Sequence, residues 1–216
     1  AADAARVYDD VRMAAKTGPD SIYIDGMEGG TGAGPHIATE ETGVPGIAAI
    51  RQARKALDDV GMSGEISLVY AGGIRNGADV AKALALGADA VAIGHSALMA
   101  LNCNKDIPEA NYEAEIGVEA GYCYHCHTGR CPVGITTQDP VLRKRLDPDQ
   151  AAERVYNFLH TLAIEAQMMA RACGKTNVHS LEPEDLAALT MEASALAMVP
   201  LAGSQYTVGR PDMTRY

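Results

Sequence analysis

Apolar positions in the first hundred residues switch between helical and strand spacing. Residues 3–16 place apolar side chains three and four apart and stop at Thr17-Gly18-Pro19, which predicts a helix. Residues 21–25 form a short apolar run read as a buried strand, and they pass into a glycine-rich loop, Gly26 to Pro35. Helical spacing returns over residues 45–60, opening with Pro45. Residues 66–70 predict a second strand, followed by Gly72, Gly73 and Gly77. A helix over 78–86 ends at Gly87, a third strand covers 90–93, and Gly94-His95-Ser96 leads into a short helix reaching about Leu101. Strand, glycine loop and helix thus recur three times, a rhythm that predicts βαβ units on a parallel sheet.

A (β/α)8 barrel needs about 250 residues, so three units do not close one. Residues 1–102 are therefore read as the last βα units of a TIM barrel whose earlier strands lie outside this sequence; an open doubly wound sheet is the competing reading. The sequence starts at Ala1, inside a helix-like segment without a start Met or secretory signal, which points to a fragment or processed chain. Residues 103–146 change character. Residues 104–122 are polar, acidic and helical in part, and a cysteine-rich turn follows. Residues 147–216 read as a C-terminal helical extension. One long helix runs from Asp147-Pro148 to Gly174, and a second opens at Leu181-Glu182-Pro183 and ends near Ala195. A tail from Pro200 is expected to loop over a neighbour.

Composition narrows the function class. The 216 residues are 47% hydrophobic and 21% charged, ordinary for a soluble α/β protein. A net charge of −10 argues against nucleic acid as a main partner, because such binders carry a basic face. No apolar run reaches membrane-spanning length. Four of the five cysteines fall between residues 103 and 131, and such clustering in an intracellular, cytoplasmic protein reads as metal or redox chemistry before disulfides. Cys173 stands alone in a helical pattern and reads as a buried structural thiol.

Cys123, Cys126 and Cys131 follow a C-x2-C-x4-C spacing, closed by Pro132 and Gly134, with Cys103 upstream. Soft thiolates this close suit an iron–sulfur cluster or a four-thiolate zinc site. Two glycine loops, at Gly72-Gly73-Ile74-Arg75-Asn76-Gly77 and at Gly94-His95, each lie between a strand and a helix start. Bare amides at such a start hold phosphate, and adjacent loops of this kind build the phosphate site of many barrels. The loop from Asp25 to Ala33 permits close approach to a flat ligand, with Glu28 and Thr31 placed to face it. His95, His125 and His127 read as donors or turn residues near these sites rather than metal ligands.

The segments Asp25-Gly26-Met27-Glu28-Gly29-Gly30-Thr31-Gly32-Ala33, Gly72-Gly73-Ile74-Arg75 and Cys126-His127-Thr128-Gly129-Arg130-Cys131-Pro132-Val133-Gly134, with the following Ile135-Thr136-Thr137-Gln138, resemble the FMN-binding domain of glutamate synthases. The resemblance runs on through His179-Ser180-Leu181-Glu182 and covers nearly the whole chain. It implies an FMN barrel beside an iron–sulfur cluster, with electrons passing from cluster to FMN and on to the imine of 2-oxoglutarate and ammonia, giving glutamate. It implies that Gly72, Gly73, Gly94 and His95 hold the FMN phosphate and that Gly29, Gly30 and Thr31 line the flavin or substrate side; an anionic 2-oxoglutarate needs cations, and Arg75 is a candidate. Glu28 is the catalytic candidate. Cys103, Cys123, Cys126 and Cys131 are the implied ligands, four favouring [4Fe–4S] and three favouring [3Fe–4S].

Ala71 stands where the family often carries Asp, and an acidic insertion separates Cys103 from Cys126. Implied partners are a glutaminase domain or subunit and an electron donor such as ferredoxin or an NAD(P)H-oxidising subunit, in a homo- or hetero-oligomer. The frame Gly117 to Gly121 and Gly129 to Pro140 resembles that of the large subunit of N-methylglutamate synthase, for which methylamine replaces ammonia. A zinc-stabilised module and a different FMN barrel remain as alternatives.

Overall fold

The computed structural model describes residues 6–30, 34–103, 107, 109–117 and 123–209. In chain order the elements are α1 (Val7–Ala15), β1 (Ser21–Asp25), α2 (His36–Glu41), α3 (Gly46–Asp59), β2 (Ser67–Ala71), α4 (Gly77–Ala85), β3 (Ala90–Ala92), α5 (His95–Ala100), α6 (Glu109–Ile116), α7 (Pro148–Ala172) and α8 (Met191–Ala197). The strands form one parallel sheet in the order β1-β2-β3. Asp25 pairs with Ala71, and Ala71 with Ala92, so the carboxyl ends are level. All three glycine loops therefore leave from the same edge of the sheet.

The central strand is β2, and Leu68, Val69 and Tyr70 are all buried, as expected of a parallel strand covered on both faces. Helix α3 covers it with Ala48, Ala49, Ile50, Ala53, Ala56 and Leu57, and α1 adds Val7, Val11 and Ala15 to the same core. One ion pair locks the β3 side. Arg54 donates to the Gly87 carbonyl and the Asp89 carboxylate, each at 2.7 Å. Asp89 Oδ2 also accepts the Leu68 amide at 2.7 Å, so a single carboxylate ties α3, β2 and the entry to β3 together.

Helix α7 is closed at both ends by its own sequence. The Asp147 side chain accepts the amides of Asp149 and Gln150, Pro148 opens the first turn, and Gly174 follows the C-cap at φ +74°. It packs on α4 through small residues: Ala81 and Ala85 face Ala170 in one apolar seam, with Leu181 beside them.

Three expectations change. Leu181-Glu182-Pro183 does not open a long helix. Glu182 and Asp185 do cap each other, but only around a 3-10 turn, Pro183–Asp185. The chain then extends so that Ala188 can bridge to Leu201, and α8 starts afresh behind the Thr190 cap. Cys173 is half-buried, packed beside the α4–α7 seam. Up to Gly209, the tail folds onto its own helix, where Ser194 Oγ donates to the Val199 carbonyl and accepts the Val208 amide. Among the described residues, no helix is long and apolar enough to cross a membrane.

Candidate functional site

The loop after β1 is held by groups beneath it. The Gly26 amide donates to the Ala71 carbonyl at 2.9 Å and the Met27 amide to Val44 at 2.9 Å. Glu28 turns inward: both of its carboxylate oxygens accept the Gly46 amide at 3.1 Å, at the first residue of α3. A carboxylate at a helix start is stabilised by the exposed amides there. Tyr70, at the end of β2, donates its hydroxyl to the same carboxylate at 3.4 Å. Burial pushes the Tyr70 phenol well above its ordinary ionisation range, and the Glu28 charge and hydrogen bond push the same way.

This arrangement leaves no room for side chains. A Cβ on Gly46 would stand 1.8 Å from the Tyr70 hydroxyl, and one on Gly29 would stand 2.0 Å from Asp25 Oδ1. Gly73, at φ +69°, would meet Glu28 Cβ at 2.9 Å. Gly30 lies next in this loop, at φ +147°. Thr31 falls outside the described residues.

The loop after β2 corrects one expectation. The start of α4 is not bare. Asn76 caps the Asp79 amide at 3.0 Å, and Glu165 of α7 accepts the Gly77 amide at 2.7 Å. Asp79 accepts the Arg75 amide at 3.1 Å and pairs with its guanidinium at 3.4 Å. Two carboxylates and an amide oxygen thus take up the Gly77, Arg75 and Asp79 amides. Arg75 still extends into solvent.

The loop after β3 is different. A Cβ on Gly94 would meet nothing within 4 Å, and His95 is exposed at the first residue of α5. Ser96 Oγ donates to the Ile74 carbonyl at 2.6 Å, tying this loop to the one carrying Gly72 and Gly73.

Helix α5 leads straight to Cys103. Arg154 of α7 donates to the carbonyls of Ala100 and Leu101 at 3.2 and 3.5 Å, fixing the end of α5. Burial pushes the Cys103 thiol up to about 11, and the thiols of Cys126, Cys123 and Cys131 add to the rise. Burial, then Cys123 and Cys131, also raise Cys126. Cys131 goes the other way. Its burial works against ionisation, but the Thr136 and Val133 amides, the Thr136 hydroxyl and the Ile135 amide outweigh that and hold the thiol below its ordinary value.

Cys131 and Cys123 belong to a small apolar cluster with Ile107, Ile116 and Val133. Both ring nitrogens of His125 are engaged, with the Ile116 carbonyl at 2.9 Å and Thr128 at 3.3 Å, so His125 acts as a brace between α6 and the turn. Among the described residues no three His, Cys, Asp or Glu side chains converge on a point that would hold one metal ion.

Residues 3–176 match the family described as the conserved region in glutamate synthase. The chain belongs to the glutamate synthase family. It is 53% identical over 206 residues to a glutamate synthase large subunit-like protein of Rhizobium meliloti (strain 1021), covering 95% of this chain and 46% of the relative. It is 38% identical over 191 residues to the archaeal glutamate synthase (NADPH) of Archaeoglobus fulgidus, covering 88% of this chain and 34% of that one. The chain thus spans less than half the length of these relatives. Among solved structures, a flavocytochrome b2 variant with sulfite bound superposes with a TM-score of 0.51 at 21% identity, over 97% of this chain and 37% of that one. That likeness shows the fold: this chain matches part of a flavoprotein barrel.

Three residues with clear roles at this site escaped the sequence reading: Tyr70, Ser96 and Glu165. Tyr70 carried the only usable signal, a large hydroxylated side chain near the end of a central strand, one residue before the pair Gly72-Gly73. Glu165 lies 88 residues from its partner, a relationship no local pattern contains.

Proposed function

We propose that this chain supplies the closing βα units, the cluster loop and the helical extension of a glutamate synthase-type flavin and iron–sulfur oxidoreductase. The observation that carries this reading is the position of Cys103. It ends the helix that follows the third glycine loop, and it lies within electrostatic reach of Cys123, Cys126 and Cys131. A cluster held there stands next to the carboxyl end of the sheet, where barrel enzymes keep their active sites.

The residues fit both groups. Four soft thiols within electrostatic reach of one another suit an iron–sulfur cluster, whose separate irons take separate thiolates. Gly94 and His95 present open space beside Gly72 and Gly73, which Ser96 holds in place, and this suits a phosphate. When bound, FMN and the cluster supply the electrons that reduce the imine of 2-oxoglutarate and ammonia to glutamate. The chain's own residues place and shield. Gly29 and Gly30 bring backbone close to the flat face of the cofactor, and Arg75 offers a cation to a dicarboxylate. Glu28 serves as the anchor of the loop rather than as an acid or base, since its carboxylate is spent on Gly46 and Tyr70. The missing barrel units, ammonia supply and electron donor belong to the remainder of the protein or its partners.

The test is anaerobic purification of the complete protein, with iron, sulfide, zinc and FMN measured together and the electron paramagnetic resonance spectrum recorded. Iron, sulfide and FMN in fixed ratio, with glutamate formed from 2-oxoglutarate and ammonia, would support the reading. Zinc without flavin would overturn it. Turnover with methylamine in place of ammonia would shift the substrate to the N-methylglutamate branch.

A further inference from the structure

Helix α7 buries one face and leaves the other open. Leu162, Ala166 and Ala170 are buried, Ala170 in the seam with α4, and Arg154 reaches the end of α5. On the opposite side, Glu153, Asn157, His160, Ile164, Gln167 and Arg171 recur at alternating steps of four and three, the spacing of a seam between two helices. All of them are exposed among the described residues. Tyr156 and Met168 flank this line and, with Ile164, make its middle apolar: Tyr156 is 65% exposed, Met168 59% and Ile164 43%. His160 lies flat on Tyr156, with ring centroids 5.6 Å apart and planes within 7° of parallel, so the two rings present one broad surface. Apolar groups gathered on the outer face of a helix mark a surface for a partner.

The charges say which partner. The line begins with Glu153 and ends with Arg171, and neither forms an ion pair among the described residues. Turned end for end on a second copy, the line matches itself. Glu153 comes opposite the partner's Arg171, Tyr156 opposite the partner's Met168, and His160 opposite the partner's Ile164. Asn157 and Gln167 face each other in the same way. A two-fold axis passing between His160 and Ile164 generates each of these pairs twice, as a self-complementary interface requires. Parallel pairing would set Glu153 on Glu153 and Arg171 on Arg171, and like charges disfavour it.

We propose that the outer face of α7 is a self-association surface, on which two copies of this chain pair their α7 helices antiparallel with Glu153 of each copy against Arg171 of the other. Tyr156, His160, Ile164 and Met168 form its apolar middle. The occupant is a second copy because the face is complementary to its own reverse, in charge at the ends and in apolar character between them. The inference does not depend on which cofactors the protein holds.

The test is sedimentation velocity on the complete protein over a range of concentrations, as wild type, Glu153→Arg and Arg171→Glu. Wild type should sediment as a dimer or a multiple of one. Each variant places like charges at both ends of the seam, so its dimerisation should weaken at least about tenfold. An equimolar mixture of the two variants should regain wild-type dimerisation, because the arginines of one chain then face the glutamates of the other at both ends. Mixing does not repair a misfolded chain, so this recovery separates an interface from a fold effect. A monomeric wild type would overturn the proposal and leave the face to another part of the protein or to solvent. Variants that dimerise as wild type does, or a mixture that associates no more tightly than its components, would also overturn it. Ile164→Glu is the second check: it puts a carboxylate beside the axis, and a dimer that survives it unchanged would sink the antiparallel pairing.

Discussion

The amide of Gly77 donates to Glu165 Oε2 at 2.7 Å, joining the first residue of α4 to the middle of α7. A Cβ at Gly77 would stand 2.3 Å from Glu165 Cβ and 2.5 Å from the Leu162 carbonyl oxygen. The contact therefore needs both a carboxylate on one helix and no side chain on the other. Glu165→Ala should cost about 1 kcal/mol, as loss of a helix cap does. Gly77→Ala should cost more, about 1–3 kcal/mol, because backbone must move. Urea unfolding followed by circular dichroism measures both, and a Gly77→Ala protein as stable as wild type would contradict the packing.

Tyr70 gives a pH-dependent prediction. Its phenol resists ionisation in the folded protein, first through burial and then through Glu28. The unfolded chain ionises at the ordinary tyrosine value of about 10. Stability from this residue is therefore complete below about pH 10 and falls as pH rises above it, because only the unfolded state loses the proton. Tyr70→Phe should cost roughly 1–2 kcal/mol at neutral pH through the lost bond to a carboxylate. It should also flatten the alkaline decline in urea midpoint. An equal alkaline slope in both proteins would rule out this account.

Much of the sheet was legible because its signals are local. Apolar runs bounded by Gly87, Gly94 or Thr17-Gly18 mark strands and helices without outside help, and Asp147-Pro148 and Gly174 bound α7 closely. The start of α4 was misread for the opposite reason. Gly72 to Gly77 has the composition of an anion cradle, but Glu165 arrives from a helix far along the chain and takes the Gly77 amide. Leu181-Glu182-Pro183 misled because a capping box specifies a start and not a length; the demand of Ala188 for Leu201 ended the turn after three residues. The cysteines were legible by spacing, whereas the capture of the Thr137 hydroxyl by the Gly129 carbonyl was not.

Arg154 links the helical extension to the cluster loop. Its guanidinium holds the Ala100 and Leu101 carbonyls, just before Cys103. Arg154→Met keeps the aliphatic stem and removes both bonds. The fold should survive with a loss of about 1–2 kcal/mol. Iron content per chain should fall below that of wild type, because Cys103 is no longer held opposite its partner thiols. Full iron loading in Arg154→Met, with unchanged circular dichroism, would show that α5 needs no such brace.

Gly94 separates a binding role from a merely structural one. An added Cβ meets no protein atom within 4 Å, so Gly94→Ala should leave stability within about 0.5 kcal/mol of wild type. If the amides of Gly94 and His95 approach a phosphate, the new methyl group intrudes on the ligand instead of on the protein. FMN affinity, followed by quenching of flavin fluorescence in the complete protein, should then weaken about tenfold, equivalent to about 1.4 kcal/mol. Gly72→Ala is the contrasting case: its Cβ would meet the Gly26 and Gly29 amide nitrogens at 3.2 Å at a φ of +115°, so stability and affinity should fall together. Unchanged FMN affinity in Gly94→Ala would reduce this glycine to a tight βα turn and move the phosphate site elsewhere along the carboxyl edge of the sheet.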